Sequence, residues 1–242
     1  MPRRRALHTG AVTSHRSDPL SWVALDSWDV DPADLVAPGR PWADVIPTDV
    51  DNRIDNSIGP LPTQGWREVM ILPPDPAAMP GRLFVAPDGD GWAVAYLSPP
   101  LGEGKPILSA GPAVSLRPGK PARRQGLRLT WPTGVEVRAS ELQGLQITLT
   151  NAGDVAWVAD PQDTQYAHGW LLDRHGHRIG SSTIYYGGTH HAIDELAPGE
   201  GLPLPVSFGP DPQLTAPGVY QVQAVMPALN LWSPRSNITV LP

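Results

Sequence analysis

From Leu127 onward the chain alternates apolar and polar positions with a period of two. Leu127, Leu129 and Trp131 share one face of LRLTW, Val135, Val137 and Ala139 share one face of VEVRA, and Leu145, Ile147 and Leu149 share one face of LQITLTN. Each set is opposed by polar neighbours, as in strands with one buried side. The alternation continues through VAWV, YAHGWLL, TIYY, LPLPVSF, VYQVQAVM and NITVL, separated by turn residues at the spacing of an antiparallel sandwich. Ala197-Pro198-Gly199-Glu200 and Ala216-Pro217-Gly218-Val219 each place Pro second and Gly third, which predicts two type II turns with positive φ at the Gly. In LPLPVSF, Pro203 and Pro205 face away from Leu202, Leu204, Val206 and Phe208, which predicts an edge strand because Pro donates nothing to a ladder. The expected core is Leu129, Trp131, Leu145, Ile147, Leu149, Trp157, Leu172, Val206, Phe208, Tyr220, Val222 and Ala224, in about seven strands.

The preceding half is less regular. REVMIL at 67–72 reads as a strand, RLFVAPDGDGWAVAYL at 82–97 as a hairpin turning on its Asp-Gly pairs, and 107–116 as further strand. Between Asp18 and Trp66 nine Asp face only Arg40 and Arg53, among Pro residues and Trp22, Trp28, Trp42 and Trp66. A short helix over Asp18 to Trp28, capped by Ser17, is expected there, with extended chain after it. Residues 1–17 are basic and patternless. RPGKPARRQGLR gathers Arg117, Lys120, Arg123, Arg124 and Arg128 without an acid and reads as a linker. The predicted organisation is a basic tail and acidic Trp/Pro-rich arm at 1–65, a small β-rich unit at 66–116, a basic linker at 117–126 and a sandwich at 127–242. Four Trp would leave large apolar surfaces in water, so the arm is expected to fold back onto the rest of the chain.

Composition narrows the function. Pro 30 and Gly 24 in 242 residues disfavour a helix-rich fold. A net charge of −6 argues against nucleic acid, whose binding relies on Lys and Arg meeting phosphates. With no Cys there is no disulfide, thiolate metal site or Cys nucleophile. No apolar run suits a signal peptide or membrane span, which predicts a cytoplasmic protein.

The order NAGDVAW (151–157), GWLLDRHG (169–176), LAPGE (196–200), APGVY (216–220) and LWS (231–233) resembles bacterial immunoglobulin-like accessory domains. It is similar to the carbohydrate-binding C-terminal domain of O-antigen exporter ATPases, and more weakly to the intracellular proteinase inhibitor family of bacilli. The likeness spans residues 127–242 and rests on turn and core positions. It implies that the C-terminal antiparallel β-sandwich is immunoglobulin-like, and with the residue patterns before it the expected fold is mainly β: a C-terminal immunoglobulin-like antiparallel β-sandwich preceded by a smaller β-rich unit and an irregular Pro-rich N-terminal arm. It also implies a binding module for a glycan or protein partner, in the setting of bacterial surface polysaccharide. No ATPase motif is present, so export itself does not carry over.

Catalytic signatures are missing from the sequence. His168, His175, His177, His190 and His191 cluster, but Ser181 and Ser182 stand where a cupin carboxylate ligand belongs, and Gly176 puts His175 and His177 astride a hairpin tip. Asp49, Asp51 and Asp55 outline a calcium loop that lacks its Gly and terminal Glu, which leaves a solvated loop. The expectation is therefore a non-enzyme with no catalytic residue, metal or cofactor. Among nine Trp, Trp131, Trp157 and Trp170 lie in strand phase and are assigned to the core. The candidate ligand-binding residues are Trp232, Tyr185, Tyr186, His190 and His191, in or beside loops at the ends of strands. The competing readings are a regulatory, proteinase-inhibitor-like protein and an enzyme with an unrecognised site.

Overall fold

The computed structural model describes residues 18–69, 81–100, 103–179, 193–208 and 217–242. Strands dominate it. The N-terminal half contributes β1 (Val23–Leu25), β2 (Trp28–Val30), β3 (Asp51–Asn52), β4 (Arg67–Val69), β5 (Arg82–Asp88), β6 (Gly91–Ser98), β7 (Ile107–Ala110) and β8 (Arg117–Pro118), with short helices α1 (Pro32–Leu35) and α2 (Trp42–Val45).

The β5–β6 hairpin closes as its sequence predicts. Asp88 opposes Gly91, and Gly89 at φ 57 takes the positive φ that a type II′ turn needs at its first central residue. This hairpin is the middle of a five-stranded sheet, β3-β7-β6-β5-β4. Successive side chains of a strand point to opposite faces, so Leu83 and Val85 project one way and Phe84 and Ala86 the other, and all four are fully buried. The acidic arm covers both faces. Val45, Ile46 and Trp66 pack on Phe84, Ala86, Ala93 and Ala95, while Leu25, Val30 and Leu35 pack on Leu83, Val85 and Val94. Trp28 stacks on Tyr96 at 4.7 Å and Trp42 meets Trp66 edge-on at 4.6 Å.

The helix expected over Asp18 to Trp28 is not formed. A single 3-10 turn spans Pro19–Ser21, capped by Asp18 rather than Ser17, and β1 and β2 then pair around Asp26 (φ 53) and Ser27. The cause is tertiary: β1 finds a second partner in β8, with Val23 opposite Pro118 and Ala24 opposite Arg117. Nothing in the local sequence announces that partner.

The second half holds helix α3 (Lys120–Arg123), then β9 (Leu127–Thr130), β10 (Val135–Arg138), β11 (Gln146–Asn151), β12 (Trp157–Val158), β13 (Ala167–Leu172), β14 (Arg178–Ile179), β15 (Glu195–Leu196), β16 (Gly201–Phe208), β17 (Gly218–Met226), β18 (Leu231–Trp232) and β19 (Ser236–Leu241). Strand order is β10-β19-β17-β13-β16-β11-β9, with β14 on β13 and β18 on β17, and a separate β12–β15 ribbon. Pairing is antiparallel except for β10 with β19 and β13 with β16. One core joins both ends of this path, including Leu129, Trp131, Ile147, Leu149, Trp157, Val206, Phe208, Val222 and Ala224, with Tyr220 partly buried against it. Leu172 is also buried, on the other side of its strand with Trp170.

Strand β16 corrects the edge reading in part. It pairs with β11 over Gly201–Pro205 and with β13 over Val206–Phe208, so its second half is interior. Val206 N donates to Leu145 O, so even-numbered amides face β11 and the nitrogens of Pro203 and Pro205 face the other side. There β13 begins pairing only at Val206, and the prolines sit where no donor is required. The first Ala-Pro-Gly corner forms as expected, with Glu200 N donating to Ala197 O and Gly199 at φ 79. The second does not place Gly218 at positive φ; Gly218 opens β17 opposite Val240. The TIYY segment lies outside the described residues. Among the described residues no helix is long and apolar enough to cross a membrane.

Candidate functional site

The outward face of the β14-β13-β17-β19 sheet carries an aromatic ladder. Alternation along β13 sends Ala167, Gly169 and Leu171 inward and His168, Trp170 and Leu172 outward. Gly169 is needed there, since a Cβ would stand 2.5 Å from Val206 Cγ1. The Trp232 ring stacks on Trp170 at 5.1 Å with 9° between planes, and the Arg178 guanidinium lies 4.4 Å from the centre of the Trp170 ring. Arg178 opposes Leu172 from β14, and Trp232 opposes Val225 from beyond β17, so they reach Trp170 from opposite sides. His168 meets the edge of Trp170 at 4.8 Å. Trp170 is buried as expected, and it belongs to a small core cluster with Leu172, Val225 and Trp232 on the outward face, separate from the main one.

Trp232 is half-buried and held at two points. Its Nε1 donates to Asn230 Oδ1 at 2.7 Å, Asn230 occupies a left-handed conformation at φ 46, and the ring face rests on Trp170. Beside it on the same face run Gln221 and Gln223 from β17 and Asn237 and Thr239 from β19, where Gln221 opposes Asn237 and Val219 opposes Thr239. Gln223 is oriented by donation from Nε2 to Ser233 O at 3.3 Å. Asn237 is exposed, and Gln221, Gln223 and Thr239 are partly so.

A second feature went unseen in the sequence. The basic segment expected as a linker forms β8 and α3 and is locked at both ends. Arg117 Nη1 lies 2.9 Å from Asp163 and 3.1 Å from Asp160, and Arg123 Nε lies 3.2 Å from Asp163. Asp163 exposes only 3% of its side chain. On the arm side, Asp29 Oδ1 accepts from Lys120 N at 2.8 Å and Ser27 O accepts from Lys120 Nζ at 2.8 Å. On the sandwich side, Arg123 Nη2 donates to Ala228 O, Arg124 Nη1 to Asn230 O, and Trp157 Nε1 to Arg123 O. Burial pulls Lys120, Arg123 and Arg124 below their ordinary values. The same burial pushes Asp163 up, against the pull of Arg123 and Arg117. Two clefts adjoin this cluster, one of about 370 Å³ lined by Asp26, Arg117, Lys120, Thr164 and Tyr166, the other of about 440 Å³ beyond Asp163.

Of the candidate residues, Trp232 is placed in the ladder; Tyr185, Tyr186, His190 and His191 lie outside the described residues. His175 and His177 occupy the β13–β14 turn, where Asp173 Oδ1 accepts from both of their backbone nitrogens. Asp49 pairs with Lys105 and Asp51 with Arg53, both solvent-exposed. Among the described residues no group of three His, Asp or Glu is placed to hold a metal ion. Trp170 was missed as a site residue because a strand buried on both faces gives no polar alternation to read, and Arg178 because only the pairing of β14 with β13 brings it over that ring. No protein-family model, curated protein or solved structure matches this chain.

Proposed function

We propose that the protein is a non-catalytic binding module that recognises a glycan on the outward face of an immunoglobulin-like sandwich, in the cytoplasm. The observation that carries the reading is Trp232, half-exposed and fixed before any ligand arrives, beside a row of side-chain amides. An indole face stacks on the C–H face of a sugar ring, and amides both donate to and accept from hydroxyl groups. Rigidity matters because each side chain frozen on binding costs about 0.5–1.5 kcal/mol, and Trp232 is already immobilised. An open face suits an elongated chain of sugars.

The test is a glycan array followed by titration of the hit against W232A, W232F and N237A. W232A is expected to weaken binding by about tenfold or more, equivalent to about 1.4 kcal/mol, while W232F retains most of it. N237A is expected to give a smaller loss without changing stability. Equal affinity of W232A and wild type would remove the ladder from the site. A blank array together with inhibition of a protease by the intact chain would replace the glycan reading with the inhibitor one.

A further inference from the structure

The cleft beside the β12–β15 ribbon is separate from the glycan face and differs from it in chemistry. It has a volume of about 440 Å³ between Val158, Pro161 and Ile193 on its apolar walls and Asp160, Gln165 and Asp194 as its polar groups. Ala159 N donates to Asp194 O at 2.9 Å, which continues the β12–β15 pairing by one residue along the cleft.

Gln165 is 7% exposed, and its Nε2 donates to Ile193 O at 3.2 Å. That bond decides which end of the amide is oxygen, since the flipped form would set two carbonyls against each other. Gln165 Oε1 is thereby left buried without a hydrogen-bond partner. Buried acceptors in this state are rare, and each one asks what donor is missing. Asp194 is exposed on the rim. The other carboxylates are committed: Asp160 accepts from Gln162 N and pairs with Arg117, and Asp163 pairs with Arg117 and Arg123.

We infer that this cleft binds a guanidinium or ammonium group carried on an apolar stem. Its uncommitted polar atoms, Gln165 Oε1 and the Asp194 carboxylate, are acceptors, and a cationic nitrogen supplies donors to both. An anion would meet Asp160 and Asp194 without a free donor. A metal ion is a poor fit, because one amide oxygen and one rim carboxylate fall short of the four to eight ligands that zinc or calcium takes. The walls of Val158, Pro161 and Ile193 suit the methylene stem of such a group. Val158 is 68% exposed, so this apolar wall is open to solvent. The net charge of −6 attracts a cation from a distance.

The same chemistry occurs free, as in an alkylguanidine, and on a polypeptide, as an arginine side chain. Calorimetric titration of the full chain with agmatine and with acetyl-Ala-Arg-Ala-amide distinguishes the two, and the matching citrulline peptide serves as the uncharged control. Both arginine-type probes are expected to bind, with citrulline weaker by about tenfold or more. Tighter binding of the peptide assigns a polypeptide source; tighter binding of agmatine assigns a free amine. D194N is expected to weaken both probes by about three- to tenfold with an unchanged melting temperature, because Asp194 is exposed. Q165M is expected to weaken them further. Citrulline binding as well as arginine, indifference to D194N, or no heat from either probe at millimolar concentration would each overturn the assignment.

Discussion

Replacing Asp163 by Ala tests whether the basic segment is a passive connector or a structural seam. Asp163 exposes 3% of its side chain, and its partners Arg117 and Arg123 expose 14% and 7%. Truncating it strands two guanidinium groups away from water with one carboxylate fewer to meet them. Removing one partner of a buried pair costs about 3–5 kcal/mol, because the remaining charge is uncompensated. For a chain of this size that is about 6–20 °C in melting temperature. A surface pair sets the contrast: Glu68 and Arg82 form a two-pronged contact but stand 43% and 47% exposed, so E68A should cost under about 1 kcal/mol. Thermal and urea unfolding of D163A, E68A and wild type measure the difference. A double-mutant cycle with R123M should show coupling of about 0.5–3 kcal/mol, since D163A also relieves the need for the guanidinium. If D163A unfolds within about 1 kcal/mol of wild type, the seam is as weakly held as a surface pair and the argument from burial fails.

Asn151 is 1% exposed; its Nδ2 donates to Val155 O and Leu196 O, and its Oδ1 accepts from Gly153 N. N151A should therefore destabilise by about 2–4 kcal/mol in chemical denaturation, and N151D by at least as much, because a carboxylate would face two carbonyls. Asp163 and Asp173 should titrate on opposite sides of an ordinary aspartate when followed by carboxyl-carbon NMR. The backbone nitrogens of His177 and His175 hold Asp173 down, so it contributes stability above its unfolded value that is lost as pH falls through its folded one. Burial holds Asp163 up, so between the ordinary and raised values the folded chain keeps a proton the unfolded chain has released, and this group's contribution falls as pH rises. Coincident midpoints would contradict both assignments.

What the sequence disclosed depended on whether each residue's partner is local. LRLTW, LQITLTN and the PDGDG hairpin were readable because alternation and turn chemistry are properties of neighbouring residues. The Gly199 corner was readable for the same reason. Trp170 was legible as a core residue, but not which cluster it joins, because β13 is buried on both faces and period two cannot say which face meets the main core. The expected helix at Asp18 failed because β8, distant in sequence, supplies the strand partner. Of the site, only Trp232 was foreseen; its stacking on Trp170 depends on strands β13, β17 and β18 lying side by side. Gln165 gave no signal, since an unmet acceptor exists only once the fold has placed Ile193 against its amide.

The arm carries nine Asp between Asp18 and Trp66, yet magnitudes assign its docking to its apolar residues. The arm's pairs at Asp49 with Lys105 and Asp51 with Arg53 are exposed, and such pairs contribute about 0–1 kcal/mol. Trp66, Leu25, Val30, Leu35, Val45 and Ile46 are each buried, and one such side chain contributes about 1.5–3 kcal/mol. Six of them outweigh two exposed pairs several times over. The five-stranded sheet requires this layer as much as the arm requires the sheet, because β5 presents apolar side chains on both faces and would expose both without it. Asp29 is the exception that charge does govern. At 7% exposure its carboxylate accepts from Lys120 N, and so joins the arm to the same α3 segment that Asp163 joins to the sandwich. Apolar burial thus fixes the arm to its sheet, while a few buried carboxylates on either side of α3 tie both halves to that segment.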